Sequence, residues 1–232
     1  MTDDLRRRAA ADGLATAFLL ATIVGSGVMG ERLSGGNAAL ALLVNSIATG
    51  AGLIAIILAF GAISGAHLNP IVTVIEAWSG ALPWAAVPAY IAAQIAGAFA
   101  GVAAAHLMFG KPLFSIATKM RPGLGPVLGE LVATAGLILV IRGSSRFGIP
   151  AAAVAVGCYI ASAYWFTSST AFANPAVTLA RAASDTFAGI RPRDVPGFLF
   201  AQVVGGVAAV ALADGARPST RNRADDERKR NA

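Results

Sequence analysis

His67-Leu68-Asn69-Pro70-Ile71-Val72-Thr73 and Ala173-Asn174-Pro175-Ala176-Val177-Thr178 each set an Asn-Pro step inside apolar sequence. Proline suits the first position of a helix, where its missing N–H would have gone unpaired anyway. Asparagine just before it is a good N-cap. Each step therefore reads as the start of a short helix, Pro70 to about Ser79 and Pro175 to about Ser184. Such a helix has about ten residues, whereas a bilayer core takes roughly 20 to cross, so it reaches half-way at most. Two helices thus begin where membrane helices do not ordinarily begin, one in each half of the chain.

Outside these steps the chain is built of long apolar runs. Of its 232 residues 56% are hydrophobic and 13% charged, with a mean hydropathy of +0.68. Those values exclude a soluble domain of this length. Six runs can span: Ala9 to about Met29, Ala38 to Gly61, about Trp84 to Met108, about Leu124 to Ile141, Ile149 to Phe166 and Val195 to Ala213. No short apolar stretch with a cleavage site precedes a soluble body, so the first run is expected to be a retained span. The expected fold is all-α, with six transmembrane helices plus two re-entrant half-helices. Residues 1–8 form a polar N-terminal segment, 9–213 the membrane domain and 214–232 a basic tail expected to be disordered.

The net charge of +6 sits in termini and loops, so the lipid bilayer is the expected partner and nucleic acid is not. Six spans put both termini on one side. Of 18 Lys and Arg, eleven fall there (Arg6, Arg7, Arg8, Arg142, Arg146 and six in the tail). That bias places the termini in the cytoplasm of a multi-pass protein of the cell's inner membrane. The single cysteine, Cys158, excludes an internal disulfide and a multi-cysteine metal site. No nucleophile–base pair or metal-ligand cluster is visible, so the chain does not read as an enzyme and no cofactor is expected.

The two halves, about 9–108 and 124–213, resemble each other. Asp12-Gly-Leu-Ala-Thr-Ala matches Glu130-Leu-Val-Ala-Thr-Ala, the Asn-Pro steps match, and Ala93-Gln94-Ile95-Ala96-Gly97 matches Ala201-Gln202-Val203-Val204-Gly205. Three spans per half is odd, so the second copy enters the membrane from the opposite side. Inverted repeats of this kind put the working site near the midplane, where broken helices from each half meet. The physics asks for a water-filled cavity there, because non-helical backbone at membrane depth is tolerated only where it is buried or lines one.

On Ser64-Gly-Ala-His-Leu-Asn-Pro and Asn174-Pro175-Ala176 the sequence resembles the aquaporin and aquaglyceroporin family, the major intrinsic proteins, over about residues 9–213. The resemblance implies a homotetramer with a pore in each subunit. Asn69, Pro70, Ile71, Asn174, Pro175 and Ala176 (the two Asn-Pro-Ala-type motifs) would form the central constriction. Asp12 and Glu130 would support the re-entrant loops by accepting N–H groups, and His67 would pack within the first loop. Ile71 stands where the family usually has alanine, which would make the constriction more apolar. The larger departure is Val177, where the family normally carries the arginine of its outer selectivity filter. Counting back from the motifs gives Thr49, Ser162, Ala171 and Val177 as the filter, all small and uncharged, hence wide, while a slip of one residue in the count brings Tyr164 or Phe172 nearer. Arg181 lies one helical turn beyond Val177 and is expected to snorkel to the surface rather than guard the mouth. His106 is expected at the interface, near a span end.

The resemblance and the open filter imply a passive channel for small uncharged solutes: glycerol and other polyols, neutral metalloid acids such as arsenite and antimonite, methylated arsenicals, and water. Filters this open resemble those of bacterial aquaglyceroporins associated with arsenic resistance. A coupled secondary transporter, which also uses inverted repeats and broken helices, remains an alternative, as does a mainly water-conducting aquaporin. The transporter needs a titratable carboxylate at the solute site, which Asp12 and Glu130 do not obviously supply.

Overall fold

The computed structural model describes residues 2–215, and all but the first two residues of the expected tail lie outside it. In chain order it has α1 (Asp3–Leu33), α2 (Ala38–Ser64), the short α3 (Pro70–Trp78), α4 (Val87–Met108), α5 (Leu124–Ser144), α6 (Ile149–Phe166), the short α7 (Pro175–Arg181) and α8 (Val195–Gly215). The six long helices, with the single turns that open or close some of them, are apolar and long enough to cross a bilayer. No strand occurs among the described residues. The protein is a multi-pass, all-α membrane protein.

Helix α1 starts at Asp3, six residues before the expected span. Thr2 caps it by accepting from the Leu5 amide, and exposed Arg6–Asp3 and Arg7–Asp4 pairs support the first turns. The polar segment is therefore a helical extension of the span. Helix α7 stops at Arg181, short of Ser184, because the amides of Ala182, Ala183 and Ser184 tighten into i→i−3 turns.

The repeat is visible in the packing. Helix α1 packs on α4 and α2 as α5 packs on α8 and α6, and α2 meets α6 between the halves. The short helices cross over, α3 touching α8 and α7 touching α4, and they also meet each other. Helices come close where side chains vanish. A Cβ on Gly97 would lie 1.9 Å from the Gly13 carbonyl oxygen in α1. Gly50 and Gly157 approach reciprocally, each blocking a Cβ on the other. Lipid supplies no hydrophobic drive between helices, so this contact must come from close packing.

Burial is inverted relative to a soluble protein. Leu14, Phe18, Ile47, Phe200 and Val207 point outward and are more than half exposed, while Asp12, Gln94, Glu130 and Gln202 are fully buried. A bilayer suits such a surface, and the buried polar groups mark where structure is being held.

A Cβ at Gly97 has nowhere to go, whereas at Gly125 the nearest atom is 3.6 Å away. Gly97→Ala is therefore expected to abolish monodisperse protein in detergent gel filtration, and Gly125→Ala to leave it intact.

Candidate functional site

Asn69 and Asn174 carry extended backbone (φ −154° and −156°) and cap α3 and α7. The Asn69 Oδ1 accepts from the Ile71 amide at 2.9 Å, and the Asn174 Oδ1 accepts from Ala176 at 3.0 Å and Val177 at 3.3 Å. With the oxygens committed, the amide nitrogens reach across the repeat. Asn69 Nδ2 donates to the Ala173 carbonyl at 2.8 Å, and Asn174 Nδ2 to the Leu68 carbonyl at 2.6 Å. An amide has two N–H groups, so each asparagine keeps one for the cavity both of them line. The prolines behind them stand at the first helical position and add no polar group.

The loops that lead to the caps are strained. Ala66, Leu68, Thr170, Ala171 and Ala173 have left-handed backbone (φ 45–62°), and they are the only non-glycine residues that do so among those described. Each costs about 1–3 kcal/mol and persists only when its surroundings over-determine it. Two buried carboxylates supply that determination. Asp12 accepts from the His67 and Leu68 amides, the Ser64 hydroxyl and Gln94 Nε2, all within 2.7–3.1 Å. Glu130 accepts from the Phe172 and Ala173 amides and from Gln202 Nε2, at 2.6–2.8 Å. Gln94 and Gln202 each also donate to the threonine of the half-helix in their own half, Thr73 and Thr178, at 2.8 Å. With the loop amides turned back onto the acids, the carbonyl edge is left to the cavity. His67 Nδ1 bonds Thr73 Oγ1 at 3.1 Å and its ring packs on Tyr90, so it belongs to this scaffold.

A cavity of about 280 Å³ runs along the seam between the halves. One wall is apolar, from Leu19, Leu53, Leu137 and Val156; the other is formed by the re-entrant loop residues Gly65–Leu68 and Ala171–Ala173. Glu76 lies on it toward one mouth, and Thr49, Tyr164 and Arg181 toward the other. Thr49, Ala171 and Val177 line it, but Ser162 does not. The Ser162 side chain is exposed and bonds the Tyr159 carbonyl of its own helix at 2.7 Å. Two residues on, Tyr164 takes its place, its hydroxyl 3.2 Å from Thr49 Oγ1. Counting from the motif put Ser162 on the wrong face of α6. Ile71 also turns away, packing on Gly206 in a groove between α3 and α8, so it does not reshape the constriction. Pro70, Pro175 and Ala176 likewise sit behind the two asparagines rather than on the wall.

Arg181 does not snorkel. It is 1% exposed, lines the cavity, donates from Nε to the Ala188 carbonyl, and its guanidinium lies 3.3 Å from the centre of the Phe172 ring. The fit is local: α7 ends at this residue, and the turn through Ala188 folds back over it.

Comparison with known proteins now bears on this geometry. The sequence profile of the Major intrinsic protein family matches residues 2–146. The chain is 49% identical over 209 residues to the aquaglyceroporin AqpS of Rhizobium meliloti (strain 1021), covering 90% of this chain and 89% of that one. It belongs to the major intrinsic protein family. It is also 37% identical over 103 residues to the glycerol uptake facilitator protein of Bacillus subtilis (strain 168), covering 38% of each chain. In fold it is similar to the X-ray structure of the aquaglyceroporin from Plasmodium falciparum, with a TM-score of 0.69 at 25% identity over 91% of this chain and 96% of that one.

As a member of a family of channels, the protein is a channel and not an enzyme. Tyr164 and Phe172, the residues that a one-residue slip in the count brings nearer, both line the cavity, whereas Arg121, which ties down the loop beside them, was missed. Arg121, from the loop before α5, donates to the carbonyls of Gly189 and Ser169 and to Thr170 Oγ1, and its guanidinium is 4.8 Å from the Phe172 ring. Burial pushes Arg121 down to about 10, and pushes Lys119 beside it down to about 8. No spacing rule reaches Arg121, because it arrives from a loop outside the repeat. His106, in the last turn of α4, is fully buried and bonded to the Pro112 carbonyl and Ser184 Oγ. Cys158 is exposed on the outer side of α6.

Glu130→Ala strands three buried donors, each costing about 1–3 kcal/mol when unpaired. Its thermal unfolding temperature in detergent is expected to fall far below that of the wild type, and Asp12→Ala to fall in parallel.

Proposed function

We propose that the chain is a passive pore for small uncharged solutes larger than water, with glycerol and related polyols as the primary class. Neutral metalloid acids (arsenite, antimonite and methylated arsenicals) form the wider class, and water passes as well. The observation that carries this reading is Val177, which lines the cavity where the family's filter arginine would narrow it. Pore diameter and the lining hydrogen-bond groups set selectivity in such channels. A polyol needs one wall for its carbons and one for its hydroxyls, and the cavity offers an apolar face opposite carbonyls, Thr49 and Tyr164. The names of the relatives, an aquaglyceroporin and a glycerol uptake facilitator, support the same class of solute.

We also propose that the filter consists of Thr49, Tyr164, Ala171 and Val177, with Asn69 and Asn174 as the central constriction. The channel works as a homotetramer in the inner membrane with cytoplasmic termini. Asp12 and Glu130 have both oxygens committed to loop donors, which argues against proton coupling and hence against the transporter alternative.

Stopped-flow light scattering on proteoliposomes tests the reading. Glycerol and arsenite permeation above that of empty vesicles is expected, and its absence for both solutes would sink it. Val177→Arg is expected to cut glycerol flux about tenfold while reducing water flux much less, since the lost width excludes the larger solute first.

A further inference from the structure

We propose that Arg181 is this channel's barrier to cations, a fixed positive charge one helical turn beyond Val177. The proposal rests on the chain being a pore for uncharged solutes, and it concerns how that pore stays closed to ions when its filter position holds valine.

Three observations carry it. Arg181 is buried in the cavity wall, yet it forms no ion pair among the described residues. Its Nε is used by the Ala188 carbonyl, and its two terminal nitrogens have no protein acceptor among those residues. Buried arginines are ordinarily paired, so the guanidinium is held facing the lumen without an ion-pair partner. The carboxylate most able to offset it, Glu130, has its oxygens filled by Phe172, Ala173 and Gln202 donors.

The position is also fixed. The Phe172 ring sits against the guanidiniums of both Arg181 and Arg121, and Phe198 packs edge-on to the same ring at 5.2 Å. Arg121 is itself tied to three loop acceptors. Arg181 therefore cannot swing out to solvent when a solute passes.

The opposite end of the cavity is the internal control. Seven residues past Asn69, as Arg181 is seven past Asn174, stands Glu76, which also lines the cavity. Arg142 lies close enough to Glu76 to act on its charge. One mouth thus carries an acid with a basic neighbour, and the other two guanidiniums, Arg181 and Arg121, near one buried carboxylate, Glu130. A cation can approach the Glu76 end but meets an unbalanced charge at the Arg181 end. Arg181 thus separates ions from neutral solutes without narrowing the filter at Val177.

The test uses the full chain in proteoliposomes, with glycerol flux by light scattering and Na⁺ entry by an enclosed sodium-sensitive dye. Wild type is expected to pass glycerol and exclude Na⁺. Arg181→Gln keeps an N–H for the Ala188 carbonyl and is expected to go on passing glycerol. Its Na⁺ entry should rise on the order of a hundredfold, the factor a unit charge about 5 Å away imposes at an effective dielectric constant near 20. Arg181→Leu should leak likewise, and Arg181→Lys should stay tight. If Leu is not accommodated and that variant loses glycerol flux, Arg181→Gln decides. The proposal is overturned if Arg181→Gln conducts glycerol and remains sodium-tight, or if wild type itself admits Na⁺. Failure of wild type to pass glycerol would overturn the channel reading instead.

Discussion

Backbone at membrane depth finds no partner in lipid, so re-entrant N–H groups that turn away from the cavity need internal acceptors. Asp12 and Glu130 meet that need, each ending at the centre of one loop and each accepting two consecutive amides. Everything near the pore follows from these contacts. They hold five residues in left-handed backbone, turn the carbonyl edge to the cavity and aim each chain at its asparagine cap. They also explain why two carboxylates can sit fully buried without acting as proton carriers. Charged acceptors make the stronger hydrogen bonds, and strained backbone is where strength is needed. Gln94 and Gln202 complete the arrangement by linking each acid to the threonine on its half-helix, and in both halves the glutamine Oε1 is left without a protein partner.

The scaffold is thus duplicated nearly atom for atom, while the surface it presents to solute is not. His67 and Phe172 stand in matching places, each packed on the aromatic residue four positions before its glutamine, Tyr90 or Phe198. Around Phe172 the second half gathers Arg121 and Arg181; around His67 the first half builds hydrogen bonds to Asp12 and Thr73. Structure is carried by the conserved symmetry of the repeat, and selectivity by where the symmetry fails.

That division explains what could be read from the sequence. Asn-Pro steps, the acids and the glutamines recur at matched spacing, and spacing along an apolar helix is legible without coordinates. Six spans, two half-helices and the inverted repeat were therefore accessible. The α6 position of the proposed filter was not, because that wall is assembled from four different segments whose rotations depend on packing. Ser162 and Tyr164 are two residues apart and lie on different faces of α6, a distinction that no motif in that helix records. Ile71 was misread for the same reason, since Gly206 in α8 opens a space for it that only tertiary contact reveals. Arg181 was misjudged because length and charge suggest an escape to the surface. The Ala188 turn and the Phe172 ring hold it inside.

The crossed amide bonds between Asn69 and Ala173 and between Asn174 and Leu68 have a consequence for assembly. Each half-helix is positioned by a carbonyl that the other half supplies, so neither loop has its final geometry alone. The first three spans can enter a bilayer as they are made, but the narrow part of the lumen cannot exist until the last re-entrant segment arrives. A partly synthesised chain therefore lacks the crossed bonds that shape the narrow part of the lumen. The two halves are for the same reason bound to change together, because a shift in one loop displaces the acceptor on which the other's cap depends.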